Sequence, residues 1–161
     1  RGHLKPILWK TTHQLITIDA EHKTRYEQNQ TELKAKIASL SDQLKVQLNN
    51  TEKPYITFHN AIRYFEDEFK LNNAGSIQPG PESQPSAQHI SHIVQRIKQD
   101  NITCLLYDQA EKPRLINSLQ EQTHTKSYAI DPTGMNTQSG ENAWFEIMRN
   151  IASNLSTCLN N

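Results

Sequence analysis

The feature that most constrains this chain is an alternation of short apolar runs with longer amphipathic segments, which begins after Pro54. Short apolar runs bounded by turn residues are typical of strands, whereas apolar residues spaced by three and four are typical of helices. The predicted strands span residues 55–58, 74–78, 102–107 and 127–130. The predicted helices span residues 61–71, 86–99, 113–122 and 142–159. This alternation predicts an α/β fold with a four-stranded parallel sheet flanked by helices.

The part of the chain before Pro54 has a different pattern. Residues 1–22 are mixed in character, but between residues 24 and 50 apolar residues recur every three or four positions without an intervening glycine or proline. They are Leu33, Ile37, Leu40, Leu44 and Leu48. The spacing predicts one long amphipathic helix that precedes the α/β region. The stripe covers too few heptads for a coiled-coil dimer, so we expect a monomer.

Charge and hydropathy argue against nucleic acid as a partner and against a membrane-spanning segment. The chain carries 17 basic and 17 acidic side chains, and its formal net charge is zero. Binding to nucleic acid would call for a clustered basic face, which this composition does not favour. No run of about 18 apolar residues occurs, so we expect no membrane-spanning segment. The chain opens at Arg1 without a signal segment, which suggests a mature protein or a fragment.

Polar residues follow three of the predicted strands. His59 follows the first, Asp108 the third and Asp131 the fourth. Because parallel strands end at one edge of the sheet, all three residues are expected there. Imidazole and carboxylate together suit zinc or manganese, so His59 and Asp131 are candidate metal ligands. Asp108 is assigned instead to capping the helix that starts near Pro113.

Each candidate ligand also has a purely structural interpretation. His59 suits the start of a helix, where its polar atoms bind backbone, and Asp131 suits a turn before Pro132. Two ligands do not fill a tetrahedral zinc site, so further ligands must come from elsewhere. The sequence alone leaves both interpretations open.

Other titratable residues are predicted to lie on solvated surfaces. His89 and His92 share a helical face beside an apolar stripe, and we expect a solvated edge there. The run Glu66-Asp67-Glu68 points in three directions on a helix, so it is also expected to be solvated. Four histidines lack partners nearby in sequence: His3, His13, His22 and His124.

Signatures of common enzyme classes are missing. The sequence has no glycine-rich phosphate loop, no G-x-S-x-G elbow and no H-E-x-x-H pair. The two cysteines, Cys104 and Cys158, lack the neighbours of an activated thiol. They suit either two buried thiols or one bridge, and the sequence alone does not decide between these states. We therefore expect a binding protein and not an enzyme.

Several segments, taken in order, resemble a known family. They are Phe58-His59-Asn60-Ala61 with Tyr64-Phe65, the loop 81–87, the strand 103–107, Asp131-Pro132-Thr133-Gly134 and Ser156-Thr157-Cys158-Leu159. Upstream, Ile18-Asp19-Ala20-Glu21-His22 with Tyr26 is similar to the end of the family's long helix. The family is that of the metal-binding solute receptors of high-affinity zinc and manganese ABC importers, and the zinc-specific periplasmic (ZnuA-type) receptors are the most similar.

The resemblance implies two α/β lobes joined by a long helix, with the metal bound between the lobes. Residues 1–51 would form the inter-lobe helix region and residues 52–161 the C-terminal metal-receptor lobe. His59 matches the histidine ligand of that lobe. Asp131 matches the family's carboxylate, which binds manganese directly in some members. The other ligands belong to an N-terminal lobe that this sequence lacks.

The resemblance also implies a location and a partner. Cys104 and Cys158 match a disulfide pair of the zinc-type receptors, which implies a periplasmic protein. The implied function is to bind zinc and deliver it to the membrane permease of an ABC importer. Two alternatives remain: a manganese-type receptor lobe with Asp131 as a direct ligand, or a metal-free α/β module that binds a protein partner.

Overall fold

The computed structural model describes residues 4–49, 51–78, 80, 84–110 and 114–160. The chain divides into two compact units, Arg1–Val46 and Gln47–Asn161. Pro113, at which a helix was predicted to start, lies outside the described residues, and so does part of the loop 81–87.

The first unit is helical. Helix α1 spans Leu4–Ile18, a short 3-10 helix spans Ala20–His22, and helix α2 spans Lys23–Gln47. Helix α2 confirms the predicted long helix, and Leu40 and Leu44 of its apolar stripe are buried.

Helix α1 was not predicted, because residues 1–22 were treated as mixed in character, although Leu8, Leu15 and Ile18 recur at helical spacing. Pro6 lies in the first turn of the helix, where a proline removes no hydrogen bond, and no glycine occurs between Leu4 and Ile18. The side chain of Gln30 on α2 donates a hydrogen bond to the carbonyl of Leu8 at 3.2 Å. This hydrogen bond connects α1 to α2.

A polar turn connects these two helices. Nδ1 of His22 lies 2.9 Å from both carboxylate oxygens of Asp19, and the hydroxyl of Tyr26 donates to Asp19 at 2.8 Å. These hydrogen bonds, that of His22 foremost, hold the pKa of Asp19 below its ordinary value. The segment that resembled the end of the family's long helix is therefore an ordered turn.

The second unit contains a four-stranded parallel sheet in the order β2-β1-β3-β4. The strands are β1 Tyr55–Thr57, β2 Asn73–Ser76, β3 Cys104–Asp108 and β4 Lys126–Ile130. The helices are α3 Arg63–Phe69, α4 Ala87–Gln99, α5 Arg114–Thr123 and α6 Ala143–Asn160. The predicted α/β fold is confirmed. The observed ends of the helices and strands differ from the predicted ends by a few residues, as is usual because helix and strand ends fray.

The sheet is covered on both faces, as parallel sheets usually are. Successive residues of β3 point to opposite faces. Leu105 pairs with Ile56 of β1 and belongs to a buried cluster that includes residues of α4 and α5. These residues are Ile93, Ile97, Ile116 and Leu119. On the opposite face, Cys104 is joined to Cys158 of α6.

Candidate metal site

Three polar residues stand at the carboxyl edge of the sheet, as predicted. His59 lies two positions beyond Thr57, the last residue of β1, while Asp108 is the last residue of β3. Asp131 follows Ile130 directly, at the end of β4. Strand β3 lies between β1 and β4, so Asp108 stands between the other two along this edge.

His59 is half-buried in the turn between β1 and α3. The backbone N–H of Phe58 donates to the carbonyl of Leu106 at 2.6 Å, and that of Ala61 donates to the carbonyl of His59 at 3.0 Å. The rings of Phe58 and His59 meet edge to face with centroids 6.3 Å apart. Nε2 of His59 lies 4.0 Å from Oδ2 of Asp108. The turn thus directs the imidazole towards a carboxylate.

Asp108 is the carboxylate that faces His59. Its side chain is 14% exposed, and its Oδ1 accepts a hydrogen bond from the backbone N–H of Ala110 at 2.9 Å. Ala110 lies well before Arg114, the first residue of α5. The helix start near Pro113 that Asp108 was expected to cap lies outside the described residues; within them, the Asp108 side chain binds the turn directly after β3.

Asp131 is buried, and its own loop surrounds its carboxylate. Oδ1 accepts from the backbone N–H of Met135 at 3.0 Å and from the hydroxyl of Thr133 at 3.2 Å. Oδ2 accepts from the backbone N–H of Asn136 at 2.9 Å. The N–H of Asn136 foremost, together with those of Met135 and Gly134, holds the pKa of Asp131 below its ordinary value in spite of burial. The structural interpretation of Asp131 as a turn residue thus has direct support.

Gly134 makes this loop possible. Its φ of +73° lies in the left-handed region that favours glycine. A Cβ atom at this position would stand 2.5 Å from Cδ1 of Ile147 on α6. The loop therefore needs glycine here both for its backbone conformation and for its close approach to α6.

Other predicted surface residues are more ordered than expected. His89 is half-buried, and its Nε2 lies 3.1 Å from the carbonyl of Ser76, whereas His92 is exposed.

His3 lies outside the described residues. Among the residues that are described, no group of three or more His, Cys, Asp or Glu side chains is arranged to hold a metal ion. Within the described residues, the side chains that come together at this edge are His59 and one neighbouring carboxylate, Asp108.

The prediction of a solvated surface was wrong for Glu66, which is 6% exposed. Its Oε1 accepts hydrogen bonds from the hydroxyl of Tyr55 at 2.8 Å and from Nδ2 of Asn73 at 2.7 Å. Burial foremost raises the pKa of Tyr55 far above its usual range. The signal was present in the sequence, because Glu66 shares the helical face of Ile62 and Phe69. This network joins α3 to the first residues of β1 and β2.

A disulfide joins Cys104 at the start of β3 to Cys158 near the end of α6. Both residues are buried, and their Cα atoms are 5.5 Å apart. The pairing that the family resemblance implied is therefore present in the structure. Within the described part of the chain, no helix has the length and apolar character needed to cross a bilayer.

Comparison with known proteins assigns this chain to a family. The sequence model of the family described as zinc-uptake complex component A, periplasmic, matches residues 5–158. The high-affinity zinc uptake system protein ZnuA of Brucella abortus (strain 2308) is 32% identical over 142 residues, which cover 88% of this chain and 42% of that protein.

Solved structures show the same fold. A crystal structure of ZnuA superimposes with a TM-score of 0.79 at 18% identity and covers 92% of this chain and 53% of that one. The solute-binding protein FpvC of Pseudomonas aeruginosa, solved with Mn²⁺, gives a TM-score of 0.77 at 15% identity and covers 93% and 57%. The chain thus spans about half the length of the proteins it matches. Since the family model covers nearly the whole chain, this chain belongs to the family of periplasmic zinc-uptake complex component A proteins.

Proposed function

We propose that this chain is part of a periplasmic receptor that binds zinc and delivers it to the membrane permease of an ABC importer. Residues 52–161 would form its C-terminal lobe, and residues 1–51 its inter-lobe helix region. The observation that carries the proposal is His59, a half-buried imidazole at the carboxyl edge of the sheet in a chain that belongs to a zinc-uptake family. The role is binding and transfer, so no residue is assigned to catalysis.

The chemistry of the edge suits zinc as the cargo. Zinc binds imidazole nitrogen and carboxylate oxygen at about 2.0–2.2 Å. His59 supplies the first of these donors, and Asp108 and Asp131 are the carboxylates at the same edge. A four-coordinate ion needs more donors than one imidazole and one carboxylate. We propose that water or groups outside this edge fill the remaining positions.

Calorimetric titration with zinc tests the proposal. Replacing His59→Ala removes the imidazole and should weaken zinc binding at least about tenfold. The matched control is His92→Ala, which removes an exposed histidine of α4 and should leave the affinity unchanged. A His59→Ala protein that folds normally and binds zinc as tightly as the parent would refute the assignment.

The same titrations distinguish the alternatives. A preference for manganese over zinc in direct competition would identify a manganese-type receptor lobe. Absence of any zinc-dependent change at His59, combined with tight binding of a protein partner, would identify a metal-free interaction module. Saturable zinc binding that depends on His59 supports the receptor.

A further inference from the structure

We propose that His89 and His92 of α4 form an additional zinc-binding site, independent of the one that contains His59. Both histidines were predicted to lie on a solvated edge, but His89 is half-buried and only His92 is exposed. The ligand is a divalent ion that binds imidazole nitrogen, as zinc does. This inference goes beyond the proposed function, because it uses none of the residues at the carboxyl edge of the sheet.

The first argument is that a hydrogen bond selects one tautomer of His89. Its Nε2 lies 3.1 Å from the carbonyl oxygen of Ser76, the last residue of β2. A carbonyl oxygen only accepts hydrogen bonds, so Nε2 is the donor and carries the hydrogen. In the neutral imidazole the lone pair therefore lies on Nδ1. Histidines that bind metal ions usually donate their other ring N–H to a carbonyl or a carboxylate in this way.

The second argument is that His89 is ordered at both its backbone and its side chain. Helix α4 begins after Ser86, whose hydroxyl accepts from the backbone N–H of His89 at 3.2 Å. The ring is held by the carbonyl of Ser76 on the neighbouring strand. Because the imidazole is already ordered, less conformational entropy is lost when it binds an ion.

The third argument is the spacing of the two histidines on α4. Residues three positions apart on an α-helix are neighbours, with Cβ atoms about 5–6 Å apart. Helical side chains tilt towards the N-terminus of their helix, which directs His92 towards the turn that carries His89. Ligand pairs with this spacing bind one metal ion in helical metal sites.

The surroundings leave both imidazoles available to an ion. Within the described part of the chain, the hydrogen bond to Ser76 is the only one that the His89 ring makes, and the His92 ring makes none. No charged side chain occurs between Ala87 and Gln95, so α4 places no cation beside the pair. Two imidazole nitrogens would fill two of the four positions of a tetrahedral zinc ion, and water would fill the others.

The test follows each imidazole separately while zinc is added to the whole chain. In protein labelled with ¹⁵N in its histidine rings, zinc should shift the Nδ1 resonance of His89 and leave its Nε2 protonated. The variants His89→Gln and His59→Ala identify the resonances of these two residues by their absence. His92→Ala should weaken the zinc affinity measured at His89 at least about tenfold, because it removes a ligand. The zinc affinity measured at His59 should not change in this variant.

A spacing control adds Ser91→His to His92→Ala. It restores the number of histidines, but residues two positions apart do not face each other on a helix. The zinc affinity measured at His89 should therefore stay as weak as in His92→Ala alone.

Circular dichroism must first show that the variants are folded. An unchanged zinc affinity at His89 in His92→Ala, or full recovery of that affinity in the spacing control, would overturn the inference. If zinc shifts the resonances of His59 and not those of His89, the inference fails while the zinc-receptor proposal stands. If zinc shifts those of His89 and not those of His59, the proposed function fails and the additional site stands.

Discussion

Asp108 and Asp131 end neighbouring strands of one sheet, and yet their surroundings differ. Both carboxylate oxygens of Asp131 accept hydrogen bonds from the loop that follows it, including the backbone N–H groups of Met135 and Asn136. Among the described residues, Asp108 accepts one backbone hydrogen bond, from Ala110, and its other oxygen lies on the side of His59. The same residue type after two neighbouring strands thus has different described surroundings, since the Asp131 carboxylate accepts three hydrogen bonds from residues 133, 135 and 136. We call these regions the Asp131 loop, residues 131–136, and the His59–Asp108 pair.

The largest expected effect concerns the disulfide that ties β3 to α6, the helix against which the Asp131 loop packs. Replacing both cysteines, Cys104→Ser with Cys158→Ser, should lower the free energy of unfolding by about 4 kcal/mol, because the bridge closes a loop with a sequence separation of 54. Urea unfolding followed by circular dichroism measures the change.

The control for this effect is the parent protein with its bridge reduced, which should lose a similar amount of stability. Thiol counting in the denatured, unreduced parent should find no free thiol. A stability loss below about 1 kcal/mol in the double variant would show that the bridge adds little to this framework.

The next effect tests the comparison directly. Asp131→Asn should lower the free energy of unfolding by about 2 kcal/mol, because hydrogen bonds to a charged acceptor contribute about 1.5–3 kcal/mol. Asp108→Asn should cost less than half as much, since Asp108 accepts a single backbone hydrogen bond from the residues that the structure describes. Chemical denaturation of metal-free protein at neutral pH gives both values. Equal losses in the two variants would remove the distinction between the two regions.

The pH dependence of the free energy of unfolding tests the same role of Asp131. The pKa of Asp131 is lowered in the folded protein, so its stabilising contribution is fully present above the unfolded value of about 3.9. This contribution is lost as the pH falls through the folded pKa. The stability gap between the parent and Asp131→Asn should therefore be constant near neutral pH and narrow below about pH 4. A gap that widens in acid would contradict this account.

A further substitution tests the glycine of the Asp131 loop. Gly134→Ala should cost about 1–2 kcal/mol, because alanine is strained at positive φ and its Cβ would crowd Ile147. Thermal unfolding of Gly134→Ala, alone and combined with Ile147→Val, separates the two causes. The valine removes the crowded Cδ1 atom, so the glycine substitution should cost less in that background. An unchanged cost would assign the whole effect to backbone strain.

Much of the fold could be predicted from local pattern. The alternation after Pro54 predicted all four strands, and Ser86, whose hydroxyl accepts from the N–H of His89, caps α4 as expected. Helix α1 was missed because residues 1–22 were treated as mixed in character, although Leu8, Leu15 and Ile18 recur at helical spacing. A hydrogen bond from Gln30 of α2 to the carbonyl of Leu8 also connects the two helices.

The candidate site was predictable only in part. The position of each polar residue after a strand was enough to bring His59, Asp108 and Asp131 to one edge. Strand order was not, because the sequence did not show that β3 lies between β1 and β4. Asp108 was therefore taken for a helix cap, although it faces His59. Glu66 was wrongly predicted to be solvated together with its acidic neighbours, although it shares a helical face with Phe69.

The sequence by itself determined the α/β alternation and the edge of the sheet on which polar side chains collect, because both follow from periodicity along the chain. Only the tertiary structure decided which side chains face one another at that edge. Strand order placed Asp108 beside His59, and the positive φ of Gly134 allowed the loop to fold back on Asp131. Side-chain partners depend on contacts between residues distant in sequence, and no local pattern records such contacts.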